Sequence, residues 1–527
     1  MGDEFPKEYD VIVVGTGMTE SILAAAASRV GKRVLHLDSN EYYGGLWASF
    51  NFEGLQQWVG DCQKPKDETE CKADPQLADG ESALKMRVHN PPTATNVKEQ
   101  WHVPETVESS GDDAKKAWSQ EEVKKLYRKF NIDLAPKLLY SRGALVELLI
   151  SSNIARYTEF RNVTRVVTWH EGKLTPVPCS RADVFATQNI TVVEKRMLMN
   201  LLQECTEYEG NPEKLKKHEN QSFLDFLKDK QLTDNLIHYV LYAIAMSTEE
   251  TPCIEGMART QKFLLSLGRY GNTPFLWPMY GSGEIPQAFC RLCAVFGGLY
   301  HLKRGAEALI VGSDNTLKAI HSDKENLKSN YLVMGLDYAP DSLLPEESPG
   351  ISRGVFLIDS SILAADKEHL TLLEFPPDES SGPVTIVEVG SLTNACPQGL
   401  YMVHMTTKQK GSAEEDLMSV AKKLMNFPGE TDESKPNLVW SMFFNMKDTS
   451  TCDLGANTPT NLFLTSGPDL DLDFDFAIKQ AKEIFSKMYP EDEFLPRAPD
   501  PEEIILDDDD EDKQKQPEEK ASEEPQE

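Results

Sequence analysis

The apolar positions of this chain change period several times. From Tyr9 the sequence is apolar and β-branched through Val11, Ile12, Val13 and Val14, breaks at Gly15 and Gly17, and turns alanine-rich from Ala24 to Ala27. A short continuous apolar run predicts a buried strand, and residues 18–30 predict the helix after it. Arg33 to Leu37 reads as a second strand. Residues 61–118 lose this pattern: Pro, Lys, Glu, Asp and Gly dominate, which predicts a long, partly disordered surface insertion. Order resumes with an amphipathic stretch from Glu121 to Phe130, a helical period from Leu138 to Ile150, and strand-rich residues 157–169. From Ser180 to Gly271 the runs are helical (192–205, 222–229, 233–246 and 255–267), with Thr191 and Ser222 as N-caps. Beyond Gly271 strands return at 305–314, 331–336, 354–359, 384–389, 400–406, 438–445 and 461–466, with helices at 414–425 and 476–488.

This order predicts an α/β fold of flavoprotein type. Residues 1–60, 119–179 and 272–496 form a discontinuous α/β domain that opens on an FAD/NAD-binding type βαβ unit. Residues 61–118 are a polar insertion, 180–271 an inserted all-helical domain, and 497–527 an acidic disordered tail. The helical domain admits two readings: a bundle with an ordinary core, or one whose Met, Leu, Phe and Ala walls open a greasy slot between helices.

The glycine turn carries the first chemical signal. Gly15 permits a tight turn and Gly17 a close backbone approach, and Asp38 follows at the spacing of a ribose-binding acid. The dinucleotide fingerprint expects a small residue where Glu20 stands. A carboxylate in the first helical turn complements the helix dipole by itself and repels a phosphate entering the same place. Its bulk also hinders close packing of helix on strand. Flavin bound through an atypical loop and a scaffold without nucleotide both remain readings, and the anion argument favours the scaffold. At the other end of the chain, Asp469, Asp471, Asp473 and Asp475 precede the helix at 476–488. Four acids there suit helix capping and suit a bound anion badly.

Composition narrows the partners. The net charge of −31 leaves no basic face for nucleic acid. Residues 500–527 alone hold 14 acids against 3 lysines, and the rest is acidic too. The nine cysteines include Cys290 and Cys293 in one helical run, without a second pair or histidines at zinc spacing, and read as buried thiols. No metal motif and no catalytic constellation stands out. The acidic start lacks a signal-peptide core and no run is long enough to span a bilayer, which predicts a soluble, cytosolic protein.

Three blocks in order carry a resemblance: Asp10 to Ser21, Val34 to Gly45, and Leu267 to Gly298. Together they resemble the Rab GDP-dissociation inhibitor and Rab escort protein superfamily. Trp47 to Phe50 after the double glycine, the long insertion, and the segments Pro490 to Pro496 and Pro501 to Asp507 resemble the escort branch. The resemblance implies a flavoprotein-like fold without cofactor. It implies a non-catalytic partner of Rab geranylgeranyltransferase, the alpha/beta heterodimer, that binds GDP-bound Rab GTPases and presents them for prenylation. It would then keep the geranylgeranyl lipid on Rab soluble until transient membrane delivery. The alternatives are a plain inhibitor without a transferase role, and a flavin-dependent oxidoreductase.

Site residues follow from the same resemblance. Tyr43, Glu284 and Arg291 match the family's Rab-binding platform, and Arg269 matches a supporting position. Glu284 and Arg291 are seven apart, which returns to one helix face, and an arginine fork can grip a partner carboxylate with two hydrogen bonds. Leu299 departs from the inhibitor branch, which has threonine there. Helical periodicity alone, not the resemblance, selects Val240, Ile244 and Phe263 as lining residues of the lipid slot, and the resemblance gives Phe263 an alternative place on a transferase-binding face.

Overall fold

The computed structural model describes residues 6–64, 75–86, 94–106, 118–179, 183, 187, 190–207, 218–378, 381–456 and 458–497. The expected tail therefore lies outside the described residues, apart from its first residue.

The βαβ start forms as the hydrophobic pattern requires. Strand β1 (Glu8–Val14), helix α1 (Met18–Arg29) and strand β2 (Val34–Asp38) follow one another, with β1 parallel to β2. Strand β1 also pairs in parallel with Glu325–Gly335, which in turn carries Leu462–Thr465. Leu299–Leu302 adds to the outer edge of β2. An antiparallel meander through Leu317–Ser322 and Ala308–Gly312 completes this first sheet and ends on Glu81–Lys85. Residues 18–28 of α1 are all buried, because Glu284–Val295 and Asp475–Met488 cover it. Alanines let those helices approach closely.

The second sheet is mostly antiparallel. Its order runs Lys173–Pro176, Arg165–His170, Thr371–Phe375, Val384–Val389, Tyr401–Lys408, Gly350–Ile358, Leu438–Lys447 and Thr95–Trp101. Helix Ala413–Leu424 packs its apolar stripe on this sheet. The helices Val192–Thr206, Phe223–Asp229, Asp234–His238 and Cys253–Ser266 share one core with the sheet's opposite face and with Phe275 and Trp277.

Two expectations change here. The polar insertion contributes two strands, Glu81–Lys85 and Thr95–Trp101, each at the edge of a sheet. An edge strand with one face in solvent needs few apolar residues, which is why composition hid it. The helical period expected from Leu138 to Ile150 divides into a two-residue strand, Leu139–Tyr140, and helix Ala144–Ser151, because Gly143 opens the helix. No helix among the described residues is long and apolar enough to cross a membrane.

Candidate functional site

The glycine turn is built as a nucleotide cradle and filled by the chain itself. Gly15 has φ +99°, and a Cβ there would stand 2.7 Å from the Tyr338 ring. Such a conformation suits glycine. The Glu20 side chain folds back into the loop, where a Cβ on Gly17 or on Gly335 would lie 2.5 Å from one of its oxygens. Thr465 donates to Glu20 Oε1 at 2.8 Å, while Oε2 has no hydrogen-bond partner among the described residues. Asp38, the ribose-binding position of a dinucleotide fold, accepts from Thr16 N at 3.0 Å, Thr16 Oγ1 at 2.6 Å, Asn40 N at 2.8 Å and the Tyr338 hydroxyl at 2.8 Å. These residues do not fit a dinucleotide: its ribose contact is already satisfied and its phosphate space is occupied.

The basis of the exclusion differs from the expectation. Burial raises the Glu20 pKa from 4.5 to about 7, so a full negative charge is not present at neutral pH. Glu20 excludes a phosphate by volume whether or not it carries its proton. Nor does its bulk loosen α1, since the side chain turns toward Gly17 and Gly335.

The four late acids meet the expectation in part: Asp473 accepts from the Asp475 amide at 2.9 Å at the start of the last helix, and Asp475 lies in its first turn. The N-cap of Asp475–Met488 is Phe474, without a side-chain cap. Each acid also holds a cation: Asp469 pairs with the buried Lys137, Asp471 lies 3.7 Å from Arg259, and Asp473 and Asp475 share Lys262. Arg259 and Lys262 belong to helix Cys253–Ser266, so the cluster ties that helix to the last one. The expected thiols are as read: Cys290 and Cys293 are free and buried.

A second constellation assembles around helix Glu284–Val295. The small sheet formed by Leu139–Tyr140, Phe275–Pro278 and Phe160–Asn162 pairs Pro278 with Phe160. That register brings Tyr157, just before one strand, beside residues 279–283, just after the other. Met279 N donates to Glu159 O at 2.8 Å and fixes the approach. The turn then enters the helix through a polar knot. Asp133 accepts from Ser282 N at 3.0 Å and from Ser49 Oγ, and Gly283 N donates to Ser49 Oγ at 2.8 Å. A Cβ on Gly283 would lie 2.6 Å from Ser49 N, so only glycine permits this contact. Burial pushes Asp133 up to about 7.

Tyr157 joins the two residues expected on one face. The Arg291 guanidinium lies 4.5 Å from the centroid of its ring. Glu284 and Tyr157 share a cavity of about 110 Å³ with Tyr280. Glu284 is half-buried, and that burial raises its pKa. Among the described residues no ion pair includes Arg291, and its side chain is exposed. Tyr43 lies near Cys290 of the same helix, with its ring 6.4 Å from Tyr300, and no contact among the described residues joins it to Glu284, Arg291 or Tyr157. Ser49 links its loop to the helix start. Arg269 is spent within the fold, on the Ser141 carbonyl at 2.9 Å and the Glu147 carboxylate. It braces the helix Ala144–Ser151, which leads to Tyr157. Leu299 begins the edge strand beyond the helix and is half-buried.

Sequence reasoning missed Tyr157 and Tyr280. The available signal was their placement either side of one strand pairing, which a single sequence does not display.

The three residues expected at the lipid slot are core residues. Val240 and Ile244 lie in a π-helical turn, Tyr239–Ile244, and Phe263 meets Phe275 edge-on at 5.8 Å. All three are buried. A cavity of about 480 Å³ between these helices and the second sheet is lined by Tyr242, Ala245, Met246, Lys262 and Glu374, and not by those three.

The GDP dissociation inhibitor family model matches residues 5–74 and 114–495. "Rab proteins geranylgeranyltransferase component A" of Drosophila melanogaster is 40% identical, over 96% of this chain and 93% of that one. Rab GDP dissociation inhibitor beta of Rattus norvegicus is 25% identical, over 92% and 95%. Among solved structures, a Rab GDI from Plasmodium falciparum superposes with a TM-score of 0.66 at 18% identity, covering 92% of this chain and 99% of that one.

Proposed function

The chain belongs to the GDP dissociation inhibitor family, and from that membership we propose that it is an escort component: it binds newly made GDP-bound Rab GTPase, presents it to Rab geranylgeranyltransferase, and keeps the prenylated product in solution in the cytosol until membrane delivery. The observation that carries this reading is the 40% identity to a transferase component A over nearly the whole of both chains, against 25% for the inhibitor. The sealed cradle agrees with it, since a fold that cannot accept a dinucleotide leaves its surface for a protein partner. The chain supplies positioning while the transferase supplies the chemistry.

The docking face is the surface of helix Glu284–Val295, with Glu284 and Arg291 as its charged readers, Tyr43 near Cys290 of the same helix and Arg269 as a brace. An exposed arginine stacked on an aromatic ring, with no ion pair among the described residues, is available to a carboxylate on the GTPase. The helical domain at 180–271 takes the lipid and meets the transferase, through Val240, Ile244 and Phe263. Those residues are packed in the free protein, so the lipid enters as the helices part. The π-helical turn that carries Val240 and Ile244 supports this, because such turns are weak points in a helix and recur at functional sites. Covering an isoprenoid offsets a cost of about 0.8 kcal/mol per methylene in water.

The test is prenylation of a GDP-loaded Rab by purified transferase, with and without this chain. Dependence on the chain supports the reading. Equal prenylation without it, combined with extraction of Rab from membranes, would assign the chain to the inhibitor role.

A further inference from the structure

The turn at residues 279–283 holds a feature that the fold itself does not require. Tyr280 has φ +65°, the left-handed region, followed by Gly281 at φ +99°. A bulky residue is a true outlier there, and outliers of this kind persist where the surroundings fix them and gather at functional sites. The Tyr280 amide donates to the Thr393 carbonyl at 3.2 Å, which anchors the backbone without using the side chain. The ring is 45% exposed and so contributes little packing. Glycine or asparagine would serve the turn better.

What surrounds the ring gives the reason for tyrosine. Tyr157, 40% exposed, lines with it the cavity of about 110 Å³ that Glu284 also borders. Leu392, 49% exposed, neighbours the Thr393 carbonyl that anchors Tyr280. Tyrosine and arginine are the residue types that most often anchor protein interfaces, in small pockets that exclude water. The cavity has room for the end of one small side chain, and its two aromatic walls suit an aliphatic one. Glu284 lines the cavity and the Arg291 guanidinium lies on the Tyr157 ring that forms one of its walls, so the segment that enters meets a carboxyl within the cavity and a cation beside it.

We propose that Tyr280 and Tyr157 form an aromatic clamp that closes on one aliphatic side chain of the docked GTPase, between its contacts to Glu284 and Arg291. This rests on the docking reading above and adds to it the apolar anchor that two charges alone do not provide. Exposed charges set register and approach, and a desolvated apolar contact slows dissociation.

The test compares Tyr280→Asn, Tyr280→Phe and Arg291→Glu in the full chain, by thermal unfolding and by affinity for GDP-loaded Rab. Asparagine relaxes the backbone and removes the ring. The expected result is an unchanged or higher melting temperature with affinity at least fivefold weaker, chiefly through faster dissociation, while Tyr280→Phe keeps the affinity. Should Arg291→Glu weaken binding while Tyr280→Asn leaves it intact, the clamp is overturned and the docking face stands. If neither variant weakens binding, both are overturned. A fall in melting temperature for Tyr280→Asn with unchanged affinity would make the tyrosine structural and also overturn the clamp.

Discussion

The Thr465 hydroxyl donates to the Glu20 carboxylate at 2.8 Å, joining the last strand of the first sheet to the first helical turn of the chain. That bond holds the Glu20 side chain in the cradle that the Tyr338 ring also fills. Removal of the carboxylate alone therefore does not open it, since the Tyr338 ring still covers Gly15 and its hydroxyl still holds Asp38. Glu20→Ala is expected to remain colourless after incubation with FAD, read as visible flavin absorbance after gel filtration. Stoichiometric flavin in this single variant would mean that the carboxylate was the only barrier.

The same carboxyl makes stability depend on pH. In the folded chain it keeps its proton up to about 7, whereas the unfolded value is 4.5. Between those values the folded state binds more protons, so stability falls as pH rises and the loss is complete above about 7. The shift corresponds to at most about 3 kcal/mol, and Asp133, also near 7, acts in the same direction. Glu20→Gln removes the term. Its melting temperature should exceed the parent's at pH 8 by ~2–4 °C and approach it at pH 5. A difference that does not change with pH would disprove the assignment.

Lys262 is the joint between the helical region and the last helix. It reaches Asp475 at 2.6 Å, pairs with Asp473 and lies 4.6 Å from the Tyr140 ring centroid. Lys262→Met leaves two carboxylates facing each other without a cation. The site is partly exposed, so the cost falls between surface and buried pairs, at about 1–2 kcal/mol in denaturant unfolding. Adding Asp473→Asn should return part of that loss. Strict additivity of the two substitutions would show that they do not share one interaction.

Much of this fold was legible because its signals are local. The run Val11 to Val14 and the alanines of α1 each satisfy one period, and the structure returns them within a residue or two. Thr371–Phe375 escaped notice because it carries Glu374 in a fully buried strand. Burial pushes that acid up to about 8, so it behaves as a neutral residue that its letter does not reveal. Thr95–Trp101 was hidden by the opposite cause, an edge strand that is polar on its solvent side. Glu20 was visible as a departure from a spacing rule, but its protonation state depends on its burial in the fold and on Thr465 and Asp337, far away in sequence. Tyr157 needed a strand register before it could be found.

Arg291→Glu separates docking from stability. Among the described residues the guanidinium contributes a cation–π contact at an exposed ring, about 0.5–1 kcal/mol, so the melting temperature should hardly move. On the partner side the same change replaces attraction to a carboxylate with repulsion, and a charge reversed at an interface costs several times more than the fold loses. Affinity for GDP-loaded Rab should fall by more than tenfold, about 1.4 kcal/mol or more. Arg291→Lys retains the charge without the planar fork and should lie between. A binding loss that tracks a drop in melting temperature would instead mark Arg291 as a residue of the fold, and the platform would have to be sought on another face.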